Sequence, residues 1–198
     1  MKRLTEEVIP GSGVSGIVIH GSGRHFSSGA DLDDIIGAIK ENAVHECLLY
    51  EERRPSTLLD NLMTFRFFED LEIPVVAAIR GVCLGSALEL ALFCHCRICG
   101  EGSVLGLPEA TFGLLPGCGG IQKLRALTGL PRALELILSG TTFSTDDALR
   151  WGIIDSIVPK ESTVGAAVNF IRAVGSSYQR ACIGSYIHKY LRRDGWHP

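Results

Sequence analysis

Two acidic residues stand where acids are costly. Glu89 lies in the run GSALELALFCHCRICG, Gly85 to Gly100, and is apolar on both sides; Glu109 follows twenty residues later in LGLPEATFG. An ionised carboxylate taken out of water costs several kcal/mol unless it is paired or hydrogen-bonded. If a helix begins near Gly85, Glu89 falls in or just after its first turn, beside the free N–H groups and positive dipole end found there. The same amides can hold a developing oxyanion. Taken alone, the segment fits a catalytic carboxylate and a glutamate paired with a buried Arg or Lys equally well. Glu109 is fixed behind Pro108 in a glycine-rich loop. Upstream, FSSGADL (Phe26 to Leu32) is a tight turn able to present the Ala30 N–H to a ligand. Two carboxylates and two sets of outward-facing amides suit proton transfer beside a polarised carbonyl.

Two other patterns invite chemistry and are expected to carry none. Cys94, His95, Cys96 and Cys99 crowd behind Glu89, and Cys96-x-x-Cys99 has the spacing of metal ligands. A structural zinc site draws a second pair from elsewhere, and Cys47, Cys83, Cys118 and Cys182 are isolated. Cysteine is also a small buried hydrophobe, so packing is the expected role and no metal site is assigned. GSGVSG, Gly11 to Gly16, matches G-x-G-x-x-G, but that fingerprint works after a strand and at the start of a helix. Here it precedes a strand.

The elements that must position the acids alternate in type. SGIVIHG reads as a short buried strand, and PVVAAIRG from Pro74 as a second, its β-branched residues suiting a sheet covered on both faces. RICG reads as a third strand. Ser56 and Thr57 offer caps for a helix carrying Leu58, Leu62, Phe65 and Glu69. Arg125 to Ser139 reads as one or two helices, DDALRWG as a helix, DSIVP as a short strand, and the chain from Ser162 as helical to near its end. The charged stretch DDIIGAIKENAVHECLLYEERR is expected to be an exposed helix or a mobile segment. Strands alternating with helices imply an α/β fold with right-handed crossovers.

Composition narrows the partners. With 198 residues, 46% hydrophobic content and a net charge of −3, the chain can bury one good core and carries no basic footprint for nucleic acid. MKRLTEEVIPGSG has no apolar segment after its basic residues, so a secretory signal is not expected. Arg80 and Glu89 interrupt the longest apolar region, which argues against a membrane span. Seven cysteines without an export signal suggest reduced thiols in a cytoplasm or an organelle matrix, mitochondrial or peroxisomal in a eukaryote.

FSSGADL, PVVAAIRGVCLGSALELAL, LGLPEATFGLLPGCGGIQKL and ALELILSGTTFSTDDALRWGIIDSIVP resemble, in order and spacing, the crotonase (enoyl-CoA hydratase/isomerase) superfamily, over about Gly16 to Pro159. VLGLPE and the following GLLPGCGGIQKL are most similar to hydratases of fatty-acid β-oxidation, including the hydratase part of multifunctional enzymes; the dehydrogenase part has no counterpart here. The resemblance implies the crotonase-like β/α spiral (the ClpP/crotonase fold) over residues 1–159 and a shortened helical region over 160–198. It implies that the backbone N–H groups of Ala30 and Ser86 hold a thioester oxygen, that Glu89 orients and deprotonates water, and that Glu109 delivers the α-proton. Ser28, Gly29, Asp31, Leu32, Gly85, Pro108 and Gly117 would line the substrate, and Ser22, Arg24 and His25 could approach the CoA phosphates or adenine, although solvated turn residues are the simpler reading of those three.

Three departures accompany it. Ser86 and Ala87 stand where family members usually carry glycine, the N-terminal strand and hairpin are reduced to MKRLTEEVIPG, and the region after Pro159 is shorter than usual. The implied reaction is reversible syn hydration of a 2-enoyl-CoA, with CoA as part of the substrate and no cofactor, in a homotrimer or a dimer of trimers. The rival readings are a double-bond isomerase using Glu109 alone and a catalytically silent binding or assembly protein.

Overall fold

The computed structural model describes residues 4–9, 11–31 and 56–174. Along the chain run β1 (Ile17–His20), α1 (Ser56–Asp70), β2 (Val75–Ile79), β3 (Val82–Leu84), α2 (Ser86–Phe93), β4 (Cys96–Gly100), β5 (Val104–Gly106), α3 (Gly120–Thr128), α4 (Leu130–Ser139), β6 (Thr142–Ser144), α5 (Thr145–Arg150), β7 (Ser156–Val158) and α6 (Thr163–Val174). The expected charged segment after Leu32 and the helical stretch beyond Val174 lie outside the described residues, as does Leu32 itself.

A parallel sheet in the order β1-β2-β4-β7 forms the centre, with Ile17 beside Val75, Val76 beside Cys96 and Ile98 beside Ser156. β2 is buried along its whole length, which is why its sequence is an unbroken apolar run. Alternation splits it between two cores. Val75, Ala77 and Ile79 face the layer containing Leu88, Phe65 and Phe93, while Val76 and Ala78 face Ala166, Ala167 and Phe170 of α6. The sheet is thereby covered on both sides, as expected of a parallel sheet. Among the described residues no helix is long and apolar enough to cross a membrane.

A second, three-stranded sheet, β3-β5-β6, was not legible as strands in the sequence. Each member has only three residues. β3 and β5 run parallel and β6 antiparallel to β5. Ser27 extends this sheet by bridging to Cys83 in parallel. The region read as one or two helices is two, and the first begins earlier than expected, at Gly120; Gly129, at φ +79°, separates them.

GSGVSG lies directly ahead of β1 and leads into a strand, not a helix. The cysteine cluster is divided by the sheet: Cys94 and Cys99 belong to one core, Cys96 to the other. His95 is tied to backbone, with Nδ1 accepting from Val75 N at 3.0 Å and Nε2 lying 3.0 Å from Glu69 O.

Candidate active site

Three chain segments reach one place because the strands before them are parallel neighbours. Ser27 N donates to Val82 O (3.1 Å), Leu84 N donates back to Ser27 O (3.1 Å), and Gly85 N donates to Gly106 O (3.0 Å). The segments that leave these strands are the Gly29–Ala30 turn, the start of α2 at Ser86, and the Pro108–Phe112 turn of 3-10 helix with Glu109. Gly29 sits at φ +104°, its N–H donating to Ser27 Oγ at 3.1 Å. A Cβ on Gly29 would stand 2.9 Å from Leu84 O and 3.5 Å from Ser86 N, so this turn lies against the first amide of α2. Gly85, at φ +56° and ψ −132°, caps that helix without a side chain. A Cβ there would meet Glu109 Oε1 at 3.2 Å and Gly29 Cα at 3.9 Å. The structure thus brings Gly29, Gly85, Ser86 and Glu109 together, with Ala30 next along the chain. The amides of an α-helix's first turn have no intrahelical acceptor, so Ser86 N–H is free to serve an external oxygen.

Glu89 is 1% exposed. Its Oε1 accepts from Gly120 N at 2.8 Å and from Cys118 N at 2.9 Å. Gly120 opens α3, so the carboxylate faces the positive end of a second helix besides standing near the start of its own. Burial pushes the Glu89 carboxyl above its ordinary value, and the Gly120 and Cys118 N–H groups pull it back toward the ionised form. Among the described residues no Arg or Lys forms an ion pair with Glu89, and the buried Arg97 pairs with Asp155 at 2.9 Å.

Glu109 has a different environment. It is half-buried, and its Oε2 is buried with no hydrogen-bond partner among the described residues. Burial, with a further contribution from the Glu89 charge, pushes its carboxyl up to about 7. Two backbone amides thus hold one oxygen of Glu89, whereas Oε2 of Glu109 meets no donor among the described residues, so the two carboxyl groups sit in unlike environments.

Ser28, Ala30 and Asp31 are exposed, and Pro108 and Gly117 are half-buried. Ser22, Arg24 and His25 are exposed, and His25 Nδ1 accepts from Val82 N at 3.1 Å, which anchors that turn to β3. The residues that grip Glu89, Cys118 and Gly120, were missed. The signal was present in GLLPGCGG, whose glycines allow backbone N–H groups to approach a buried anion.

The sequence matches the enoyl-CoA hydratase/isomerase family over residues 7–183. The chain belongs to that family. The fatty acid oxidation complex subunit alpha of Shewanella frigidimarina is 34% identical over 194 residues, 96% of this chain and 26% of that one. The protein of the same name from Idiomarina loihiensis is 42% identical over 171 residues, 85% of this chain and 22% of that one. The chain therefore spans about a quarter of the length of the curated relatives it matches. The crystal structure of an enoyl-CoA hydratase from Bacillus anthracis superposes with a TM-score of 0.73 at 30% identity, covering 94% of this chain and 67% of that one. The fold is accordingly that of crotonase-family hydratases.

Proposed function

We propose that this enoyl-CoA hydratase/isomerase family member adds water reversibly, in syn fashion, to the double bond of a 2-enoyl-CoA thioester. The observation that carries the reading is the pairing of two unlike carboxylates, Glu89 and Glu109, around the N-terminus of α2. The Ala30 and Ser86 N–H groups hold the thioester oxygen, which draws electrons away from the β-carbon. Glu89 takes a proton from water as its oxygen bonds to that carbon. The C=C electron pair moves toward the thioester, and the α-carbon takes the proton from Glu109. The turn then ends with the proton on Glu89 and the charge on Glu109, and exchange with solvent resets the pair.

Ser28, Gly29, Asp31, Gly85, Pro108 and Gly117 shape the walls on this reading. Losing one oxyanion donor typically costs about 10²–10³ in rate, and a positioned acid or base contributes about 10²–10⁴. The CoA moiety arrives with the substrate, and no step calls on another cofactor. The names of the relatives, subunits of fatty acid oxidation complexes, support an acyl-CoA substrate. Assembly into trimers is part of the same proposal; Leu130, Leu134 and Leu138, exposed at helical spacing along α4, form an apolar stripe that an assembly would cover.

The test follows the ultraviolet absorbance of crotonyl-CoA with wild type, Glu89→Gln and Glu109→Gln. Loss of the conjugated signal with 3-hydroxyacyl-CoA formed, in wild type alone, is the expected result. A flat trace for all three, with CoA-ester binding intact, overturns hydration; a 3-enoyl-CoA substrate then separates an isomerase from a silent binding protein.

A further inference from the structure

The turn that carries Gly29 and Ala30 runs beside β3 before it reaches the start of α2. Ser27 N donates to Val82 O and Leu84 N donates back to Ser27 O, both at 3.1 Å, in the manner of parallel strands. Continued one step back along the chain, that pattern calls for the carbonyl of residue 25 as acceptor of the Val82 N–H. The His25 carbonyl is instead turned into the space that a Cβ on Gly21 would fill. The imidazole takes its place, with Nδ1 accepting from Val82 N at 3.1 Å. The ring lies where a Cβ on Gly81 would stand, so that glycine, at φ +64°, makes room for it.

The backbone alone defines this register loosely. Val82 O is shared by Phe26 N and Ser27 N, each at 3.1 Å, so one carbonyl serves two successive residues. Phe26 is also anchored by burial in the core, but burial is non-directional. Arg80 Nη2 donates to Gly23 O at 2.6 Å and restrains the start of the turn. The bond to Nδ1 is the directional side-chain contact that assigns one residue of the turn to one residue of β3. A slip of one residue would carry Ala30 about 3.3 Å along the strand direction, away from the Ser86 amide against which Gly29 now lies.

We propose that His25 is a positioning residue: by accepting the Val82 N–H it sets the register in which the Ala30 amide stands beside that of Ser86. The inference rests on the reading of those two amides as the holders of the thioester oxygen. It also fixes the state of the ring. A backbone N–H can only donate, so Nδ1 is bare and the proton of the neutral imidazole sits on Nε2. Oxyanion donors act through their distance to one developing charge, so a turn held in the wrong register loses transition-state stabilisation before it loses substrate binding.

The test combines a spectroscopic and a kinetic arm. The full chain is labelled at its histidine ring nitrogens, and the His25 signals are assigned by their loss in His25→Asn. At about pH 8 the ring should show the Nε2–H tautomer with Nδ1 as an acceptor. A proton on Nδ1 overturns the proposal. The amide signals of Ala30 and Ser86 should shift in His25→Phe, which keeps a ring without an acceptor, and return in His25→Asn, whose Oδ1 can replace Nδ1. Signals that stay in place overturn it too. None of this needs turnover, so failure of the hydratase reading is seen separately. In the kinetic arm kcat of His25→Phe should fall about tenfold or more with KM within about threefold of wild type, and His25→Asn should recover most of the loss. A lower Tm with kcat unchanged would reduce His25 to a structural anchor, and a raised KM with kcat unchanged would make it a direct contact of the CoA moiety. Either outcome overturns the proposal.

Discussion

Gly120 serves Glu89 in two ways at one position. Its N–H donates to Glu89 Oε1 at 2.8 Å, and a Cβ on the same residue would stand 2.8 Å from Glu89 Cγ and 2.9 Å from Oε1. The carboxylate occupies the space of the missing side chain. The first residue of α3 therefore acts as both a donor and a void, a combination that only glycine provides.

Gly120→Ala tests this directly. Alanine is the better helix former, and a local view of α3 would have it stabilise the protein. The contact distances say otherwise, because Glu89 must move by several tenths of an ångström and one or both amide bonds must lengthen. The expected result is a loss of about 1–3 kcal/mol in denaturant unfolding, the usual cost of overpacking. Activity should fall about a hundredfold, mostly in kcat. A variant as stable and as active as wild type would show that the carboxylate does not depend on this grip.

The raised carboxyl of Glu109 links stability to pH with a definite sign. Its ordinary value is 4.5 and the folded value about 7, so the folded state binds the proton more tightly than the unfolded one. Stability from this group is full below about 4.5 and is lost as pH rises through about 7. Urea unfolding at about pH 5 and about pH 8 should therefore show wild type losing about 1–2 kcal/mol more than Glu109→Gln, allowing for solvent screening. Equal pH slopes in the two proteins would remove the desolvated acid from the account. On the proposed reaction, hydration should also decline as pH rises above about 7, where the α-proton is no longer available.

The site was legible in the sequence to the extent that its residues were chemically out of place. Glu89 among leucines and Glu109 behind Pro108 stood out because a buried acid needs a reason, and the FSSGADL turn stood out through its glycine. The central strands were equally readable, since IVI, VVAAI and RICG are short apolar runs between turn residues. The small sheet was not. Val82–Leu84, Val104–Gly106 and Thr142–Ser144 are three residues each, too short for alternation to register, and their pairing is set by contacts distant in sequence. The amides holding Glu89 were hidden for a related reason: a backbone donor leaves no mark on residue type except the glycine that allows its approach. Arg97 and Asp155 look like ordinary charges in the sequence, and only the fold buries them together.

Gly85→Ala probes the meeting of the two other segments. At φ +56° and ψ −132° the position lies outside the regions an alanine adopts without strain, at a cost of about 1–3 kcal/mol. The new Cβ would also meet Glu109 Oε1 at 3.2 Å, moving the acid away from the start of α2. The prediction is lower stability together with a fall in kcat of about tenfold or more. In contrast to Gly120→Ala, the pH dependence of stability assigned to Glu109 should change with it. An unaltered pH dependence would mean that Glu109 keeps its place and that Gly85 is needed for backbone geometry alone.

The buried pair Arg97–Asp155 should matter for folding and not for chemistry. Asp155 Oδ2 accepts from the Arg97 backbone N–H at 2.9 Å and pairs with Nη2 at 2.9 Å, while Asp155 N donates to Arg97 O at 3.0 Å. Arg97 Nη1 donates to Cys94 O at 2.8 Å, which ties the end of α2 to the sheet. Removing one partner leaves an uncompensated charge in the interior, and Arg97→Met or Asp155→Asn alone should cost about 3–5 kcal/mol. Replacing both, with Met at 97 and Leu at 155, removes two desolvation penalties at once and should restore much of the loss, so the double-mutant cycle should show a coupling well above that of a surface pair. The folded double variant should keep the wild-type kcat, since Glu89 is held by the Cys118 and Gly120 amides and not by this pair. Additive losses in the cycle would show that each charge is satisfied independently of the other, and a large fall in kcat would mean that the clamp on Cys94 transmits to the N-terminus of α2.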